Sequence, residues 1–120
     1  MAQINKPTDY FNTKLYTGNG TDNHAITGVG FQPDFTWLKR RNTAEYHSLF
    51  DAVRGANKAI FSNATTAEYD YSGDPNQQLK SWQSDGFTLG TAAAINGNND
   101  TFASWNWLAN GAGSANTDGS

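Results

Sequence analysis

A chain of 120 residues is long enough for one hydrophobic core and too short for two. Only 37% of its residues are hydrophobic and the mean hydropathy is -0.68, yet 13% are aromatic, so burial rests on a few large rings, which argues against a helical bundle or a membrane-inserted chain. A net charge of -3 offers phosphate no long-range attraction, so no nucleic-acid partner is expected, and the lack of cysteine excludes disulfides and thiolate metal sites.

In chain order, YFNTKLYT (10–17) alternates as a half-buried strand. The GNGTDN that follows has the Gly and Asn of a tight hairpin, so 24–27 is expected to return as a second strand beside it. Pro33 has no N–H for a ladder, which places the start of a third strand near Phe35. On a period of two, Phe35 and Trp37 share a face with Lys39 and Arg41, while Thr36, Leu38 and Arg40 share the other. Both faces turn charged at the same place, so the three cations mark a strand leaving the core rather than a basic ligand patch. YHSLFD (46–51) and KAIFS (58–62) read as further strands, with the turn-like AVRGAN between them.

Residues 63–77, NATTAEYDYSGDPNQ, form a long polar loop with two tyrosines, a length that in a small domain often carries function. LKSWQ, the turn SDG and FTLGT then give a hairpin, AAAINGNND an irregular loop, and TFASWNWLA a last strand. The pattern predicts an all-β protein, an antiparallel β-sandwich or jelly roll of about seven to eight strands over residues 1–110, with 111–120 as a Gly/Ser/Asn-rich tail or linker. The expected inner layer is Phe35, Trp37, Phe50, Phe87, Leu89, Trp105 and Trp107, by strand alternation and ring size.

Catalysis requires convergent acid, base or nucleophile groups. The chain has two histidines, His24 and His47, which read as strand or turn residues, and no G-x-S-x-G, H-E-x-x-H or cysteine nucleophile, so no enzyme and no catalytic residue are expected. DYSGD (70–74) and NGNND (96–100) bring oxygen donors close together, but neither matches a calcium loop, and no metal or other cofactor is assigned. Asp51 and Arg54 are spaced to meet across a tight turn and are read as a structural pair. Tyr69 and Tyr71 in the long loop, with Asn98 and Asp100 in the Asn-rich loop, are the candidate ligand contacts.

Five segments, INKPTDYFNTKLYTGNG, ITGVGFQPDFTWLKRR, LFDAVRGA, SDGFTLG and WNWLANG, together resemble the concanavalin-like, LamG/SPRY-like β-sandwich modules of marine and cyanobacterial bacteriophage virion proteins, especially those of tail fibres. The resemblance runs from about residue 4 to 118 and implies that Gln32, Pro33, Asp34, Trp37, Asp51, Arg54 and Gly55 determine the fold. It further implies a non-enzymatic virion structural protein of the tail-fibre or adhesin type that binds host surface polysaccharide. The alternative is a capsid decoration or other assembly protein acting through symmetric contacts. Other virion proteins and identical copies are the expected partners. GSANTDGS resembles the junction at which longer members continue into another module.

Overall fold

The computed structural model describes residues 6–109, so the tail expected at 111–120 lies outside the described residues. Among these residues a 3-10 turn at Pro7–Asp9 precedes nine strands: β1 (Phe11–Thr17), β2 (His24–Ile26), β3 (Phe35–Arg40), β4 (Ser48–Asp51), β5 (Lys58–Phe61), β6 (Tyr69–Asp70), β7 (Leu79–Gln83), β8 (Gly86–Leu89) and β9 (Thr101–Trp107). One turn of helix, α1 (Ala93–Asn96), sits between β8 and β9. The strands form a six-stranded sheet, β1-β9-β3-β4-β5-β6, and a three-stranded sheet, β2-β8-β7, packed as an all-β antiparallel sandwich. The strand beyond the seven or eight expected is β6, two residues of the long loop that pair with Lys58 and Ala59.

The GNGTDN hairpin does not form. β1 pairs with β9, Leu15 opposite Ala103, while β2 pairs with β8 in the other sheet, Ala25 opposite Thr88. The turn amides are taken by the α1–β9 connection: Gly18 N–H donates to the Asp100 carbonyl at 2.9 Å and Gly20 N–H to that of Asn96 at 2.8 Å. A Cβ at Gly18 would lie 2.2 Å from the Gly97 carbonyl oxygen, so only glycine admits this approach. The segment therefore crosses between sheets.

Phe50, Phe87 and Leu89 are fully buried, alongside Leu38, Leu79, Val29 and Ile95. Phe35, Trp37, Trp105 and Trp107 are not in this layer. The β3–β9 register sets Trp37 across from Trp105 and Phe35 across from Trp107, on the surface of the six-stranded sheet that faces away from the three-stranded one. The inward phase of these strands is Thr36, Leu38, Phe102, Ser104 and Asn106. Its polar members are accommodated because they bond one another. Thr36 Oγ1 donates to Asn106 Oδ1, Asn106 Nδ2 donates to Ser104 Oγ and to the Asn12 carbonyl, and Ser104 Oγ donates to the Lys14 carbonyl. Trp82 Nε1, from the opposing sheet, donates to Thr36 Oγ1.

Candidate functional site

Beyond β5 the chain turns back as β6, with Ala59 opposite Tyr69, and the hinge of this region is Asn57. Asn57 is buried at φ 64°, a backbone state that Asn tolerates better than most residues. Its carbonyl accepts from Tyr71 N–H, its N–H donates to the Leu79 carbonyl, and its Oδ1 accepts from Gln78 N–H. Asp70 Oδ1 closes an Asx turn by accepting from both the N–H and the hydroxyl of Ser72. These bonds fix the aromatic part of the long loop against both sheets.

The result is a cavity of about 370 Å³, within the ordinary size of small-ligand pockets. Tyr69 and Tyr71 form one wall, ring centroids 4.4 Å apart, and Tyr46 and Phe61 form another, at 5.2 Å. Glu45 stands among the lining residues, and Ala67 and Ala94 add small apolar surface. Burial, then the neighbouring Tyr69, Asp74 and Glu45, push the Tyr71 phenol above its usual pKa, so it is a neutral hydrogen-bonding group at neutral pH. Ser48 of β4 and Gln78, just before β7, contribute to the lining from opposite sheets. Ser48 Oγ and Gln78 Oε1 are both buried, and neither has a hydrogen-bond partner among the described residues.

Of the residues singled out from sequence, Tyr69 and Tyr71 are brought together here; Asn98 and Asp100 are not part of the cleft. Asn98 is exposed, while Asp100 is held by Arg40 at 2.6 Å and by Asn42 Nδ2 at 2.9 Å, so its carboxylate is engaged within the chain. Arg40, the middle cation of the strand end, is thereby taken up as well, and Lys39 Nζ donates to the Arg40 carbonyl. Asp51 accepts from Arg54 Nε and from Arg54 N–H, and the same guanidinium reaches Glu68 Oε2 at 2.8 Å and the Leu49 carbonyl at 3.1 Å. His24 Nδ1 lies 2.7 Å from Asn96 Oδ1, and Trp37 Nε1 donates to His47 Nδ1.

Ser48, Gln78 and Asn57 were missed from the sequence. The available signal was Ser48, a polar residue in the inward phase with Phe50 that has no obvious partner.

A second concavity, about 230 Å³, lies on the outer face of the six-stranded sheet and is lined by Trp37, His47, Trp105 and Trp107. Phe11, Leu15 and Ile60 extend this apolar surface across β1 and β5. Among the described residues no group of three or more His, Asp or Glu is gathered as a metal site, and no helix is long and apolar enough to cross a membrane.

A family model for a domain of unknown function, DUF7483, matches residues 6–120. No curated protein and no solved structure matches the chain.

Proposed function

We propose that this chain, which belongs to the DUF7483 domain family over residues 6–120, is a non-enzymatic bacteriophage virion module that binds a host surface glycan in the cleft walled by Tyr69 and Tyr71. One observation carries the reading: an aromatic-walled cavity whose lining residues Ser48 and Gln78 keep two buried polar atoms without partners among the described residues. Buried polar groups are almost always hydrogen-bonded, and an orphan costs about 1–3 kcal/mol. Both orphans belong to residues that line the one cavity, which supports a site complementary to something polar that enters it. Flat aromatic walls suit the apolar face of a pyranose ring, and the sugar's hydroxyls suit the tyrosine phenols and Glu45. The virion setting rests on the resemblance of the five segments to phage fibre modules.

A glycan array on the isolated chain tests this. Tyr71→Ala and Tyr69→Ala should each weaken any captured glycan by about tenfold or more, as expected for aromatic anchors that the ligand covers. Binding that survives both substitutions would place the site elsewhere. Mass spectrometry of purified particles tests the virion assignment.

The outer aromatic face favours a second reading, symmetric contact with an identical copy. Its central concavity is lined by three tryptophans and a histidine whose Nδ1 is already used, leaving little to hold a sugar's hydroxyls. Strands of two to seven residues across a six-stranded sheet give a face of roughly 500 Å², to which flanking loops would add toward the roughly 800 Å² per partner of a stable dimer. Lys39 lies toward one end of this face and Asp51, paired with Arg54, at the other, opposite Phe35, so a two-fold axis across the strands sets Lys39 over the Asp51–Arg54 pair. Sedimentation at micromolar concentration should show a dimer or larger assembly that Trp105→Glu dissociates; a monomeric wild type would end this reading.

A further inference from the structure

We infer that the cleft selects a sugar bearing an acetamido group, and that Ser48 and Gln78 read that group. The inference rests on the proposed glycan site and narrows its ligand.

The two unpartnered atoms are chemically unlike. Gln78 Oε1 is an acceptor only, whereas the Ser48 hydroxyl can donate. A trans secondary amide presents its N–H and its carbonyl to opposite sides, so the N–H can donate to Gln78 Oε1 on one side while the carbonyl accepts from Ser48 Oγ on the other. The two side chains come from opposite sides of the cavity, Ser48 on β4 and Gln78 at the entry to β7, so both residues border a group held between them. Ser48 is 1% and Gln78 3% exposed, so bulk water does not serve the two groups, and the Gln78 main chain is tied to Asn57 and Gly90.

The remaining lining decides between an amide and a pair of sugar hydroxyls. Each hydroxyl brings a donor and two acceptor sites, and beside Phe61, Ala67 and Ala94 the unused sites would stay unsatisfied. An acetamido group ends instead in a methyl, which those apolar side chains can pack. Tyr69 and Tyr71 then hold the sugar ring nearer the mouth, where Tyr69 is 51% exposed.

The test is a direct titration of the chain, followed by NMR, with chitotriose and with cellotriose, which share linkage and length and differ at the acetamido groups. Wild type should bind chitotriose about ten- to a hundredfold more tightly, the range expected when a pair of buried polar groups is matched or left unmatched. Ser48→Ala and Gln78→Met should each erase most of that preference while keeping or raising the thermal midpoint, because each removes an orphan. Equal affinity of wild type for the two trisaccharides overturns the acetamido inference and leaves the glycan cleft standing, as does a preference that persists in both variants. Failure of folded wild type to bind either sugar, alongside a blank glycan array, overturns the glycan reading and this inference with it.

Discussion

Trp37 and Trp105 meet edge to face across the β3–β9 ladder, ring centroids 6.1 Å apart at 71°, on the outer surface of the six-stranded sheet. Both rings are half-buried by neighbours on the same face rather than by the opposing sheet. Trp105→Ala should therefore destabilise the monomer by only about 1–3 kcal/mol, the combined effect of partial burial and an aromatic pair. Phe50→Ala, which empties a fully buried position, should cost about 3–5 kcal/mol. Urea denaturation of the two variants compares them; a larger loss for Trp105 would mean that its face is covered.

Asn96 is fully buried and joins four chain segments. Its Oδ1 accepts from Asn19 N–H and His24 Nδ1, and its Nδ2 donates to the carbonyls of Thr21 and Gly90. With several partners orphaned at about 1–3 kcal/mol each, Asn96→Ala should lose at least about 3 kcal/mol. A thermal midpoint within a degree or two of wild type would show that these groups find other partners.

The Arg54 guanidinium serves Asp51, Glu68 and the Leu49 carbonyl at once, with its side chain 24% exposed. That exposure screens the pair, so Arg54→Ala should cost about 1–3 kcal/mol, less than a fully buried pair would. Arg54→Lys should restore little, because one ammonium cannot reproduce the planar fork. Full recovery with lysine, measured by chemical denaturation, would reduce the interaction to simple charge.

Gly28 and Gly30 adopt φ of 87° and 93°, which turns both N–H groups onto the Asp85 carboxylate at 2.9 and 2.7 Å. Those two backbone donors hold the Asp85 pKa below the usual range. A carboxylate with a lowered folded-state value stabilises above the unfolded value, about 3.9, and that contribution is lost as pH falls through the lower folded value. The amide resonances of Gly28 and Gly30 should titrate with a midpoint below about 3.9, and Asp85→Asn should abolish the dependence. A midpoint at or above that value would mean the carboxylate does not hold the loop.

Alternation alone sufficed to locate β3, β4, β5 and β9, because a period of two is a local property of extended chain, and Pro33 marked the entry to β3 for an equally local reason. The same local logic drew attention to Tyr69 and Tyr71. Which phase of β3 and β9 is buried was decided by tertiary structure. The three-stranded sheet covers Thr36, Ser104 and Asn106, whose polar groups satisfy one another across strands, and leaves the larger Trp37 and Trp105 outside. Hydrophobicity ranks side chains one at a time, so it sends the tryptophans inward; a cross-strand polar network lowers the cost of the opposite choice and exists only once the strands are paired. The GNGTDN segment was misread for the same reason, since its amides are claimed by Asn96 and Asp100, far away in sequence. The cleft likewise arises only where Ser48 and Gln78, 30 residues apart and on different sheets, are brought to one cavity by packing.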